Sequence, residues 1–165
     1  MEYFYNFEKL SYVRKPKDRD SCILCSLAKG NTETPDLTVY RDKLFIVSLN
    51  LYPYNPGHLI IFPLRHIEDV REFSNEEQKR ISLLTNLFLD ILDAIHSPSG
   101  YNIGYNMGKP AGASIRHLHL HIIPRYPGEI GFTDLIAGKR MLVEHPLETV
   151  RRIKEELKKL PLEAL

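Results

Sequence analysis

His117-Leu118-His119-Leu120-His121, with Gly112-Ala113-Ser114 before it and Ile122-Ile123-Pro124-Arg125 after it, is the stretch on which the fold turns. Three histidines fall at every second position. In an extended strand residues i, i+2 and i+4 share a face, so the histidines line one side while Leu118, Leu120 and Ile122 enter a core on the other. On a helix the same spacing would scatter them. Two chemistries suit such a row: a metal site, since imidazole binds zinc, copper or nickel, or a nucleophile supported by its neighbours. The plain alternative, a half-buried strand with polar residues outward, would be served as well by Thr or Ser.

At 165 residues the chain is expected to form one domain, large enough to bury about two thirds of its unfolded surface without covalent staples. Lys plus Arg is 22 and Asp plus Glu is 21, and the net charge of +1 gives no global reason to expect nucleic acid or a membrane as partner. No apolar run approaches the length of a signal-peptide core or a spanning helix, so a soluble cytoplasmic protein is expected. The only cysteines, Cys22 and Cys25, form a C-x-x-C pair. In a reducing compartment such a pair points to metal or redox chemistry rather than to a structural bridge.

Outward from the histidines, Tyr101 to Tyr105 reads as a strand feeding the loop from Met107 to Gly112. Thr38 to Tyr40, Leu44 to Leu49 and His58 to Phe62 are further strands, rich in β-branched and apolar residues. Arg41-Asp42-Lys43 turns between the first two, and Asn50 to Gly57, with two prolines and a glycine, is a loop. A short helical piece is expected over Ile67 to Phe73. Ser74 and Glu77 make a capping box, and Ile81, Leu84, Phe88, Ile91 and Ile95 recur at helical spacing until Pro98 and Gly100 end the pattern. Pro146 opens a last helix, over residues 146–160, whose inward stripe is read as Leu147, Val150, Ile153 and Leu157. Residues 1–20 mix aromatics with a basic cluster and read either as an extension packed on the domain or on a second subunit or, equally, as a partly ordered tail. Residues 125–145 give no firm assignment. Hairpins with one long helix between them make an α+β fold, an antiparallel sheet packed by helices.

Two motifs together resemble the histidine triad (HIT) superfamily of nucleotidyl hydrolases and transferases. One is His117-x-His119-x-His121 followed by Ile122-Ile123; the other is Asn55-Pro56-Gly57-His58-Leu59-Ile60-Ile61-Phe62-Pro63-Leu64-Arg65-His66, upstream at the family's interval. The Asn50-to-Gly57 loop and the aromatic extension look most like the fragile-histidine-triad branch and its bacterial diadenosine tetraphosphate phosphorylases. The resemblance implies a five-stranded antiparallel sheet and a two-fold homodimer. It implies that His119 attacks the α-phosphorus of a dinucleoside polyphosphate, forming a nucleotidyl-histidine resolved by phosphate or water. His121 and His58 would support that imidazole and the phosphate oxygens, Asn50 would contact the ribose, and Asn106 and Ser114 would handle phosphate oxygens and the leaving group. Some members bind zinc through four residues that match Cys22, Cys25, His66 and His117, a closed structural set.

The chemistry is sensible from the residues themselves. Imidazole has an ordinary pKa of about 6.5 and is a competent nucleophile near neutrality. The approach through Gly112, Ala113 and Ser114 lets backbone N–H groups come near phosphate oxygens. Lys109, Arg116 and Arg125 are candidate local cations, for which solvated surface charge is the better reading. A nucleoside phosphoramidate hydrolase and a slow nucleotide-binding regulator are the alternatives to a dinucleoside polyphosphate enzyme.

Overall fold

Five of the stretches become strands of one antiparallel sheet, and burial of Phe45–Leu49 and Leu59–Pro63 on both faces explains why those two read as continuous apolar runs rather than as alternation. The computed structural model describes residues 22–31, 35–129 and 144–161. The extension over residues 1–20 lies outside the described residues. Within them the strands are β1 (Thr38–Arg41), β2 (Phe45–Leu49), β3 (Leu59–Pro63), β4 (Gly100–Tyr105) and β5 (Leu120–Arg125), and the helices are α1 (Ile23–Ala28), α2 (Asn75–His96) and α3 (Pro146–Lys159). The sheet order is β1-β2-β3-β5-β4, every pair antiparallel. This is the expected α+β architecture. No described helix is long and apolar enough to cross a membrane.

Local chemistry accounts for the boundaries. Asp42 closes the first hairpin, its Oδ1 accepting from the N–H groups of Leu44 and Phe45 at 2.7 Å each. Ser74 caps α2 by accepting from Glu77 N–H, and Glu77 returns an acceptor to Ser74 N–H at 2.7 Å. The other oxygen of Glu77 accepts from Arg65 Nε at 2.7 Å, with Arg65 Nη2 2.6 Å from Oε2. The capping box thus ties the helix start to the residue before His66. At its far end α2 stops at Ser97, left-handed at φ 46°, ahead of Pro98, whose ring disfavours helix in the residue before it.

Alternation along β3 and β5 sorts the side chains. Leu59 and Ile61, with Leu118, Leu120 and Ile122, face the main core formed with α2 and α3. Ile46, Ile60 and Phe62 face the opposite side, where Leu24 of α1 completes a smaller cluster. The histidines belong to this second face.

Three expectations are corrected. The piece over Ile67 to Phe73 is helical only at Val70–Glu72, a single 3₁₀ turn capped by Asp69, because Ile67 is used otherwise: its carbonyl accepts from Leu118 N–H at 2.7 Å. The same bond explains why ladder pairing of the histidine stretch starts only at Leu120. On α3, Leu147 is 53% exposed, while Thr149 is buried beside Val150, Ile153 and Leu157. Leu147 sits in the first turn, where His145 caps its N–H, and the Thr149 hydroxyl turns inward to donate to Glu144.

Candidate active site and metal centre

The β3 motif and the histidine stretch meet because β3 and β5 are neighbours, with Ile60 opposite His121. Gly57 makes the turn into β3 possible. It is left-handed at φ 79°, and a Cβ there would lie 2.9 Å from Leu92 and 3.0 Å from His96, so no other residue fits without displacement. Asn55 braces the same loop by donating to the Pro124 carbonyl at 2.6 Å.

Hydrogen bonds fix the state of each ring. His119 Nδ1 lies 2.8 Å from the His117 carbonyl. A carbonyl only accepts, so Nδ1 carries the proton and Nε2 keeps the lone pair. Burial also pushes His119 below the ordinary imidazole range, which holds the ring neutral. For His58 the order is reversed. Tyr54 N–H donates to its Nδ1 at 3.1 Å, so in the neutral ring Nε2 carries the proton and donates to His121 Nδ1 at 3.0 Å. His121 is left with its proton on Nε2. A lone pair on His119 and a donor on His121 therefore stand side by side, ring centroids 4.6 Å apart.

Both rings line an open pocket of about 1000 Å³, part of it open solvent. Its lining combines Asn50, Asn106, Gly112 and Ser114 with the apolar side chains of Ile23, Leu24 and Leu27 of α1 and of Leu37 and Leu49. A few polar groups set in an otherwise apolar cleft suit a ligand with an apolar part and a charged part. Of the residues singled out from sequence, His58 stands behind His121, and Ala113 is not in the lining. The N–H groups of Gly112 and Ala113 are engaged within their own loop, on the carbonyls of Lys109 and Gly108. Arg116 is paired with Glu68 and Arg125 with Glu129; Lys109 is exposed, and none of the three lines the pocket. The apolar wall from α1 was missed, although Ile23 and Leu27 four apart were its signal. Tyr52 and Tyr54 also line the pocket, and no sequence pattern marked them.

On the far side of His117 lies a second cluster. Cys22, Cys25, His66 and His117 offer ligand atoms within 4.8 Å of one another. His117 Nε2 donates to the Pro63 carbonyl at 2.9 Å, which leaves the Nδ1 lone pair toward the sulfurs, 3.5 Å from Cys22 and 3.4 Å from Cys25. His66 repeats the pattern: Nε2 faces Glu68 at 3.4 Å and Nδ1 faces Cys25 Sγ at 3.3 Å. Outer partners that orient imidazole lone pairs in this way are a hallmark of metal ligation. Burial, then the adjacent Cys22, pushes the Cys25 thiol up to about 11, and burial with His66 nearby pushes His117 down to about 4. A neutral imidazole is ready to ligate, and a divalent cation among the four would offset the penalty on the thiolates. This cluster can hold a metal ion.

Comparisons with known proteins agree with this geometry. The family model described as HIT domain matches residues 31–128. An AP-4-A phosphorylase of Mycobacterium tuberculosis is 32% identical over 161 residues, covering 93% of this chain and 83% of that protein. The asymmetrical bis(5'-nucleosyl)-tetraphosphatase of Schizosaccharomyces pombe is 31% identical over 97 residues, 59% of this chain and 53% of its own. Among solved structures, a Zn-bound histidine triad family protein from Mycobacterium smegmatis superposes with a TM-score of 0.68 at 25% identity, covering 84% of this chain and 94% of that one. With the histidine row, the upstream strand motif and the five-stranded sheet in place, the chain belongs to the HIT family and is one of its enzymes.

Proposed function

We propose that the protein cleaves dinucleoside polyphosphates such as diadenosine tetraphosphate at an α-phosphate through a nucleotidyl-His119 intermediate. The observation that carries this is the pair of fixed tautomers, His119 with its lone pair on Nε2 beside His121 with its proton on Nε2. His119 Nε2 forms the N–P bond as the P–O bond to the departing nucleotide breaks. The proton stays on His119 Nδ1, hydrogen-bonded to the His117 carbonyl, which stabilises the imidazolium as it forms. His121 Nε2–H donates to a phosphate oxygen, and Ser114 serves the leaving oxygen. Asn50 takes the ribose and Asn106 a phosphate oxygen, while Gly112 leaves room for the chain of phosphates. Ala113 acts by shaping that loop. The acceptor then attacks phosphorus and returns His119 neutral.

Inorganic phosphate is the proposed acceptor, supported by the 93% coverage of the match to a protein named a phosphorylase. Incubation with diadenosine tetraphosphate, with and without phosphate, tests it by chromatography of the products. ADP plus ATP formed only with phosphate is expected. AMP plus ATP without phosphate would make water the acceptor, and no cleavage in either would overturn the substrate assignment.

The metal at Cys22, Cys25, His66 and His117 is read as zinc in a structural role. Zn–S of about 2.3 Å and Zn–N of about 2.0–2.1 Å require sulfur-to-nitrogen edges near 3.5 Å in a tetrahedron, and the three such contacts span 3.3–3.5 Å. When bound it supplies folding energy rather than a reaction step. The partner of β4, an edge strand with Ile103 46% exposed, is read as the same strand of a second copy, giving the two-fold dimer. The whole chain is read as one such domain.

A further inference from the structure

The apolar wall of the pocket and the metal cluster share one short element. Helix α1 has six residues, and its N-cap, Cys22, makes no side-chain cap hydrogen bond. A helix of that length does not hold itself together in water. Only Leu24 of α1 is fully buried, against Ile46, Ile60 and Phe62. Yet Ile23, Leu24 and Leu27 all line the pocket, and Cys22 and Cys25, one at the N-cap and one inside the first turn, reach His66 and His117. The helix precedes the matched family region, which starts at residue 31.

We propose that Cys22 and Cys25, through the metal they hold with His66 and His117, are positioning residues for the nucleotide site: metal occupancy sets nucleotide affinity, and bound nucleotide in turn tightens the metal. The inference rests on the nucleotide and zinc readings above and adds a coupling between them. Such coupling is reciprocal at equilibrium, because each ligand favours the same docked position of α1.

A second route from the metal to the chemistry exists, through His117 to its carbonyl and so to His119 Nδ1. It carries less. His117 is fully buried and is also held by the Pro63 carbonyl at 2.9 Å, so its backbone stays put when the metal leaves. Apart from the metal cluster, helix α1 is held by Leu24 packed on Ile46, Ile60 and Phe62, with Ile23, Leu27 and Ala28 partly buried beside it, an apolar contact without the fixed direction of a hydrogen bond. Loss of metal therefore falls on substrate binding, in KM, and spares kcat.

The test measures zinc affinity of the full chain by competition with a chromogenic chelator, with and without saturating AMP, in the unaltered protein and in Leu27→Ala. About tenfold tighter zinc with AMP is expected, falling below about twofold in Leu27→Ala, which keeps all four ligands. Cys22→Ser is expected to raise KM for diadenosine tetraphosphate by about the same tenfold with kcat little changed. Equal zinc affinity with and without AMP in the unaltered protein overturns the coupling. Undiminished coupling in Leu27→Ala, or a fall confined to kcat in Cys22→Ser, overturns its route through α1. Failure of AMP to bind at any metal content, seen by calorimetry, instead overturns the nucleotide reading on which the proposal stands.

Discussion

The two histidine clusters meet at His117 and His119, two residues apart, yet they are held together in different ways. Around His119 the chain supplies every partner: the His117 carbonyl, the Tyr54 N–H and the His58 ring set the tautomers in turn. Around His117 the chain orients the imidazoles through Pro63 and Glu68 but leaves two thiols facing two lone pairs. One cluster is fixed by backbone and ring hydrogen bonds; the other presents four donor atoms that can hold a cation. A site for chemistry must be ready before the substrate arrives, whereas a structural site gains by being completed late, since binding energy then becomes folding energy.

Breaking each cluster should therefore give different losses. His119→Ala removes the proposed nucleophile and should lower kcat by about 10⁴-fold or more, with the melting temperature changed by a few degrees at most; a rate within tenfold of the unaltered enzyme would remove His119 from the mechanism. His66→Ala should do the opposite. It opens the metal cluster and should lose up to about 4 kcal/mol of stability, the linkage expected when free metal is a thousandfold above its Kd, with kcat kept within severalfold. Metal analysis of protein purified without chelator checks the premise, and zinc below about a tenth of an equivalent would contradict it. The comparison is sharpened by pH. Burial lowers the His119 pKa, so His119 stays neutral below the ordinary imidazole value of about 6.5, and the acid limb of kcat should lie below that value; a limb above it would assign the titration elsewhere.

How much of this was legible follows from the range of the forces involved. The capping box at Ser74 and Glu77 and the stop before Pro98 are local, and each became the element expected, while the alternation at residues 117–121 sent Leu118 and Leu120 into the core although the strand begins only at Leu120. The four candidate metal donors come from three separate segments, and only the family resemblance joined them before the sheet did. What stayed hidden depends on partners far along the chain. Nothing near Ile67 announces that its carbonyl serves Leu118, and the spacing of α3 cannot say that Thr149 rather than Leu147 finds a buried acceptor. Backbone acceptors leave no mark in a sequence, so the carbonyls of His117 and Pro63, which set two tautomers, could not be read there.

Two smaller effects probe the frame around both clusters. Glu77 is buried and binds both Arg65 and the Ser74 N–H, and these partners hold its carboxyl at about 2, below its ordinary value of 4.5. Its contribution is complete above about pH 4.5 and is lost as pH falls toward 2. Glu77→Gln should cost about 1–3 kcal/mol at neutral pH, and the cost should shrink in acid; denaturant melts at pH 7 and pH 3 compare the two. Leu147→Ser, by contrast, alters an exposed side chain and should change stability by no more than about 0.5 kcal/mol. A loss of several kcal/mol would restore Leu147 to the core.

The covalent intermediate is the centre of the account, and the stereochemical course at phosphorus tests it without requiring the intermediate to accumulate. A diadenosine polyphosphate made chiral at the attacked α-phosphorus with sulfur and an oxygen isotope would be cleaved and the product configuration read by phosphorus NMR. Two in-line displacements, by His119 and then by the acceptor, predict net retention. Net inversion would mean that the acceptor attacks directly, and His119 would not be a nucleophile.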